Sequence, residues 1–209
     1  MRIAKQTVLF LLVGGIPLWI MGCAVRPVPY PVHLRYPAEL ITAPLSPVIS
    51  ETIGLQAFEN ISAEHSMLGR RETGWGTEFY ESRPNPIADA FTEAAENFLR
   101  HKGYALRSIS GWDYTPESLP RVGEGLDTVV AGKIRDLFCK AEKKFARTTM
   151  VLEADIVFII GDVKLMKVTT RPVKIRLERT EISFDAQKLE HFMNDTLADL
   201  LQTGLGKLP

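Results

Sequence analysis

Met150, Leu152, Ala154, Ile156, Phe158 and Ile160 fall at every second position, with Glu153 and Asp155 between them. A period of two belongs to a β-strand, whose side chains point alternately to the two faces of a sheet. Phe145–Ile160 therefore reads as one long strand with an apolar and a solvated face. The apolar face needs a second layer to cover it.

Two amphipathic helices can supply that layer. Ile87, Phe91, Ala94, Ala95 and Phe98 lie on one face at helical spacing, with Asp89, Glu93, Glu96 and Arg100 largely off it. Asn85 is expected as the N-cap, with Pro86 in the first helical position where its missing donor is harmless. Gly103 ends this helix, after His101 and Lys102 bring positive charge to the negative end of its dipole. The second helix starts at Asp185, with Phe184 and Leu189 placed as a hydrophobic staple. Leu189, Phe192, Met193, Thr196, Leu197 and Leu200 form its buried stripe, and Gly204 or Gly206 ends it.

The other strands are shorter or less regular. Val48–Phe58 reads as a first strand, Tyr104–Ile109 as a second and Leu126–Phe138 as a third, with Gly132 inside it. Gly111–Gly125 reads as a loop. After a turn at Gly161-Asp162, Lys164–Phe184 reads as a fifth strand region, broken or bent near Pro172. The expected order is β-α-β-β-β-β-α: an α+β two-layer sandwich with a mixed sheet of about five strands. Its first β-α-β passage should join parallel strands, and its last three strands should form an antiparallel meander.

The amino terminus carries a different signal. Arg2 and Lys5 precede an uncharged run from Val8 to Met21, and Gly22-Cys23 follows. A charged start, a short apolar stretch and a small residue before the cut define a secretory signal. The run is shorter than the roughly 20 residues that span a hydrocarbon core. Ile20-Met21-Gly22-Cys23 resembles the lipobox of bacterial lipoproteins. That resemblance implies cleavage between Gly22 and Cys23, acyl chains on Cys23, and, from Ala24, delivery to the outer membrane. The chain then divides into a signal peptide (1–22), a lipidated proline-rich linker (23–47) and one α+β domain (48–209). Pro27, Pro29, Pro31, Pro37, Pro44 and Pro47 exclude a helix or a central strand from the linker. Its Val25, Val28, Tyr30, Val32, Leu34 and Tyr36 fit an arm packed on the domain or a partner as well as a free tether.

The folded part carries a second resemblance. Phe58-Glu59-Asn60 ends an early strand, a helix leads to Lys102-Gly103-Tyr104, and Val130-Ala131-Gly132-Lys133-Ile134 precedes the long alternating strand. In these features it is similar to YajG-like envelope lipoproteins and related small periplasmic α/β lipoproteins. The resemblance implies a non-enzymatic envelope protein, an accessory subunit of a larger assembly.

Composition narrows the functions further. The whole chain is neutral, and removing residues 1–22 takes away Arg2 and Lys5 but no acidic residue, leaving −2. That gives no basic excess for nucleic acid. His33, His65, His101 and His191 show no metal-ligand spacing with one another or with Cys, so no metal and no cofactor is expected. No glycine-rich phosphate loop, nucleophile elbow or H-E-x-x-H stretch occurs. Cys139 sits in an apolar-patterned stretch and reads as a buried structural thiol. Glu153 and Asp155 share a strand face but lack an accompanying nucleophile, base or ligand set.

Residues 59–84 have no clear period and read as a connection far longer than the usual four to six residues. Arg70, Arg71, Trp75, Phe79, Tyr80 and Arg83 lie there among Gly69, Gly74 and Gly76. Arginines and aromatics anchor interfaces, so these six are the candidate contact with a protein partner or a second copy. Aromatics folded back over the sheet edge are the competing reading. The expected function is a membrane-anchored structural or accessory envelope lipoprotein. The alternatives are a lipid- or small-ligand-binding module of an envelope transport system and a cell-wall hydrolase.

Overall fold

The computed structural model describes residues 28–37, 51–63 and 66–208. Gly22, Cys23, the lipobox and His65 lie outside them. The described residues form one mixed sheet of nine strands with the two long helices on one face, an α+β arrangement. The last three strands are the expected antiparallel meander: β7 (Thr128–Lys144), β8 (Arg147–Asp162) and β9 (Lys167–Glu181). One side of β7 is paired with β8 along its length. Its other side is shared by three parallel neighbours in turn: β2 (Thr52–Gln56), β3 (Glu59–Asn60) and β4 (Met67–Thr73). Beyond β2 lies parallel β6 (Ala105–Ile109), so the expected parallel β-α-β pair is present. Beyond β4 lie antiparallel β5 (Gly76–Ser82) and then β1 (Tyr30–Val32), parallel to β5.

The sheet thus has nine strands where about five were expected. The four additional strands come from two segments. Residues 59–84 are not a long loop: they hold β3 and a hairpin of β4 and β5 joined through Gly74-Trp75. The period was hidden because Arg71 and Glu78 occupy positions on the sheet's inner face, where alternation would require apolar residues, and neutralise each other there. Residues 28–37, within the segment read as linker, form β1 and an arm bound to the domain. β7 and β8 run on past the expected ends, to Lys144 and Asp162, so Gly161-Asp162 is strand and the turn follows it. β9 continues straight through Pro172, paired opposite Val157. It is an edge strand, where a missing N–H is tolerated.

Helix α1 (Ile87–His101) starts one residue later than expected. Pro86 is its N-cap, and the Asn85 side chain turns instead to Glu93, at 3.3 Å. Gly103, at φ 93°, follows its end. The long last helix, α3 (Ala186–Leu205), is capped as expected, with the Asp185 side chain accepting from the Lys188 amide at 2.8 Å. Both helices pack on the face carrying Met150, Leu152, Ala154, Ile156, Phe158 and Ile160, all buried. Gly132 and Gly204 sit against the Phe58 and Phe158 rings, where an added Cβ would overlap them. Phe58, Phe91 and Phe158 form an edge-to-face and tilted cluster that fills the space between helices and sheet.

The opposite face is partly covered too. Residues 111–125, expected as plain loop, contain a 3₁₀ turn (Pro116–Ser118) and a short helix α2 (Leu119–Val122). Trp112, Leu119 and Leu126 pack there on Val129, Ala131, Val157 and Ile159. This second small core explains why the end of β8 is apolar on both sides.

Candidate functional site

The six sequence candidates all lie on the β4–β5 hairpin or at its ends, but they do not act together. Arg71, Glu78 and Tyr80 face the helices. The Arg71 guanidinium donates to the Glu78 carboxylate at 3.2 Å and lies 4.2 Å from the centre of the Phe184 ring, just before α3. The Tyr80 hydroxyl donates to the same carboxylate at 2.9 Å, and the Tyr80 ring is in the core. Burial, and then the Glu78 carboxylate, hold the Tyr80 phenol well above its ordinary range. Arg71 and Tyr80 therefore build the fold and are closed to a partner. Arg70 and Phe79 are cross-strand partners on the outer face, with Arg70 reaching Glu72 at 3.5 Å. Arg83 lies at the far end of β5 and is paired with Glu81 at 3.0 Å. Trp75 stands at the hairpin tip with its side chain 100% exposed.

The position of that tip follows from register. Glu72 of β4 is opposite Glu142 of β7 in a parallel pair, so the Gly74-Trp75 turn lies beside the end of β7. There Lys144 pairs with Arg147, leaving Phe145-Ala146 as a two-residue turn. Phe145 is not the first residue of the strand. It adopts φ 54°, leaves the pleat and is fully exposed. Thr148 pairs with Glu181, which brings exposed Ile182 to the same end of the sheet. Two neighbouring hairpin tips thus present Trp75 and Phe145 on one rim, with Lys143, Lys144 and Arg147 between and beside them. The clue in the sequence was Lys143-Lys144-Phe145-Ala146-Arg147, a charged run interrupted by one aromatic, which reads as a turn once Phe145 is released from the alternating strand.

The arm docks on the half of β5 away from this rim and runs in the same direction as β5. Tyr30, Pro31 and Val32 pair in parallel with Tyr80, Glu81 and Ser82, so β1 runs away from the rim as β5 does. Beyond β1 the arm is tied to α3. The Asn194 side chain accepts from the Arg35 amide at 2.9 Å and donates to the His33 carbonyl at 3.1 Å. The His33 amide donates to Glu190 at 3.0 Å. Val32 and Leu34 are buried, and Tyr36 meets the Phe98 ring edge-on.

Several other ionisable groups are engaged with neighbours. Glu153 and Asp155 meet Arg176 and Lys174 as cross-strand pairs on the solvated face, the second at 2.8 Å. Asp136 beside them is raised by burial and by the Glu153 charge. Farther along the same face, the Tyr114 hydroxyl donates to Glu59 while Lys133 lies 4.8 Å from the ring centre. Sequence reading missed this group, because Glu59, Tyr114 and Lys133 meet only through the fold. Cys139 is buried, and burial pushes its thiol up to about 12. His33 and His191 are exposed and His101 sits at the end of α1. Among the described residues, no group of three or more His, Cys, Asp or Glu is placed to hold a metal ion, and no helix is long and apolar enough to cross a membrane.

No protein-family model and no curated protein matches the chain. Solved structures share its outline at low similarity. The hypothetical protein CT253 of Chlamydia trachomatis is 10% identical, with a TM-score of 0.47 over 76% of this chain and 100% of that one. A homolog of the neuraminyllactose-binding hemagglutinin from Helicobacter pylori is 11% identical, with a TM-score of 0.46 over 86% and 92%. Lipoprotein GNA1162 of Neisseria meningitidis is 10% identical, with a TM-score of 0.37 over 72% and 97%. The chain is similar to these and is assigned to none of them.

Proposed function

We propose that this chain is a lipid-anchored protein of the bacterial envelope, cut after Gly22 and held by acyl chains on Cys23. It serves as a structural or accessory subunit on the periplasmic face of the outer membrane and has no chemistry of its own. The observation that carries the reading is Ile20-Met21-Gly22-Cys23 at the end of an apolar run, five residues ahead of Val28, the first described residue of the arm. An acylated cysteine needs two or more chains for stable attachment, and a lipobox cysteine receives them. The filled space around Phe58, Phe91 and Phe158 weighs against an apolar ligand held between helices and sheet. A protein partner or second copy meets the end of the hairpin away from the rim, where His33, Arg83, Pro84 and Pro86 line an open groove of about 650 Å³.

Two measurements test this. Wild type and Cys23→Ser are expressed with a labelled fatty acid and fractionated. The wild type is expected in the membrane with label and the variant unprocessed and unlabelled. Equal processing and retention of both would end the anchor reading. Arg83→Glu is expected to reduce the size of the complex extracted in mild detergent while leaving the melting temperature unchanged. An unchanged complex would remove the groove from consideration.

A further inference from the structure

Exposed apolar residues scattered singly over a protein surface need no explanation. The rim built by the β4–β5 and β7–β8 turns is different, because Trp75 and Phe145 stand on adjacent strands at one end of the sheet, with Ile182 at that end too. Nothing in the fold requires either aromatic: Gly74 and Gly76 flank Trp75, and Phe145 holds a left-handed backbone conformation that small or polar residues adopt more easily. The nearby carboxylates are already balanced. Glu72 is paired with Arg70, Glu142 with Lys144 at 3.2 Å and Glu181 with Lys188 at 3.5 Å. Lys143 and Arg147 have no ion-pair partner among the described residues and leave the rim with a positive surplus.

The direction of the arm supplies the occupant. β1 runs parallel to β5, and β5 starts at the rim, so the chain reaches β1 from the rim side. Val28 is two residues before Tyr30 and Cys23 five residues before Val28. Tyr30 stands opposite Tyr80, four residues or about 13 Å along β5 from the rim, and the seven residues back to Cys23 span at most about 24 Å, so a lipid on Cys23 can reach the rim. Tryptophan and other aromatics settle at the headgroup level of a bilayer, where a ring is partly apolar and partly wet, and lysine and arginine are drawn to anionic headgroups.

We propose that this rim rests on the bilayer that holds the Cys23 lipid, with Trp75 and Phe145 seated among the headgroups and Lys143 and Arg147 against anionic lipid. The proposal rests on the anchor reading above. It adds an orientation: the sheet stands with its hairpin tips on the membrane, and the Arg83 groove points away from it.

The test uses the full acylated chain, reconstituted from mild detergent into vesicles of phosphatidylcholine and phosphatidylglycerol with or without brominated phosphatidylcholine. Once residues 1–22 are removed, Trp75 and Trp112 are the tryptophans left, and Trp112 is buried. Bromine quenches only rings that reach the lipid, so wild type should lose about half of its emission. Trp75→Phe should float with the vesicles as before and lose almost none. Wild type that floats unquenched would overturn the rim proposal and leave the anchor intact. Wild type that does not float would overturn both. Unquenched emission, together with a smaller complex for Trp75→Ala, would assign the rim to a protein contact and refute the membrane assignment.

Discussion

Asn194→Ala probes the contact on which the placement of the arm depends. Asn194 is buried on α3 and holds two backbone groups of the arm, the Arg35 amide and the His33 carbonyl. A hydrogen bond of this kind contributes about 1 kcal/mol net, and a group left unpaired in a partly buried place costs somewhat more. Removing both should therefore destabilise the fold by about 2 kcal/mol, or about 4–8 °C in melting temperature for a domain of this size. The Arg35 amide should exchange with solvent faster, while the His33 amide, held by Glu190, should change less. Asn194→Asp keeps the acceptor for Arg35 but sets a buried carboxylate against the His33 carbonyl and near Glu190, so it should cost at least as much as Asn194→Ala. Urea titration gives the energies, and amide exchange followed by NMR locates them. A stability change below about 0.5 kcal/mol, with Arg35 exchange unaltered, would show that the arm is not part of the cooperative unit.

Other consequences can be checked with similar tools. Tyr80→Ala should cost about 3 kcal/mol or more, as loss of a buried ring does, and Trp75→Ala less than about 0.5 kcal/mol; equal effects would contradict the division of the hairpin into core and rim. Gly204→Ala gains up to about 1 kcal/mol of helix propensity but drives a methyl into the Phe158 ring at a cost of about 1–3 kcal/mol, so a net loss is expected. Phe158→Leu in the same chain should recover part of it, and additive effects in the double-mutant cycle would argue against the contact. Burial raises the Cys139 thiol from 9.0 to about 12, and burial with the Glu59 hydrogen bond raises the Tyr114 phenol from 10.0 to about 12. Both groups bind their proton more tightly when folded, so their contribution is complete below pH 9 and is lost as the pH climbs toward 12. Urea midpoints should fall between pH 8 and pH 11, and an unchanged or rising midpoint would refute the assignment.

The parts of the fold legible in the sequence are those whose apolar residues follow a single period. The α1 stripe from Ile87 to Phe98, the α3 stripe from Leu189 to Leu200 and the alternation from Met150 to Ile160 each bury one face against one core, and all were read correctly. The hairpin was lost because Arg71 and Glu78 satisfy each other on the inward face, so charge stands where the pattern expects an apolar side chain. Gly74-Trp75-Gly76 between two short runs was the available hairpin signal. The arm was ambiguous because prolines speak against regular structure, whereas a three-residue edge strand such as Tyr30–Val32 accepts Pro31. Residues 111–125 looked like loop because their apolar members, Trp112 and Leu119, cover a second face without any helical or strand period. Of the six candidate site residues, the tertiary structure turned two inward, a distinction that depends on which face of a strand each occupies and not on residue type.

The arm's partners on α3 lie 157 to 161 residues away in the chain. A ribosome therefore makes one half of this clasp long before the other half appears. Residues 28–37 find their α3 partners only when nearly the whole chain has been made.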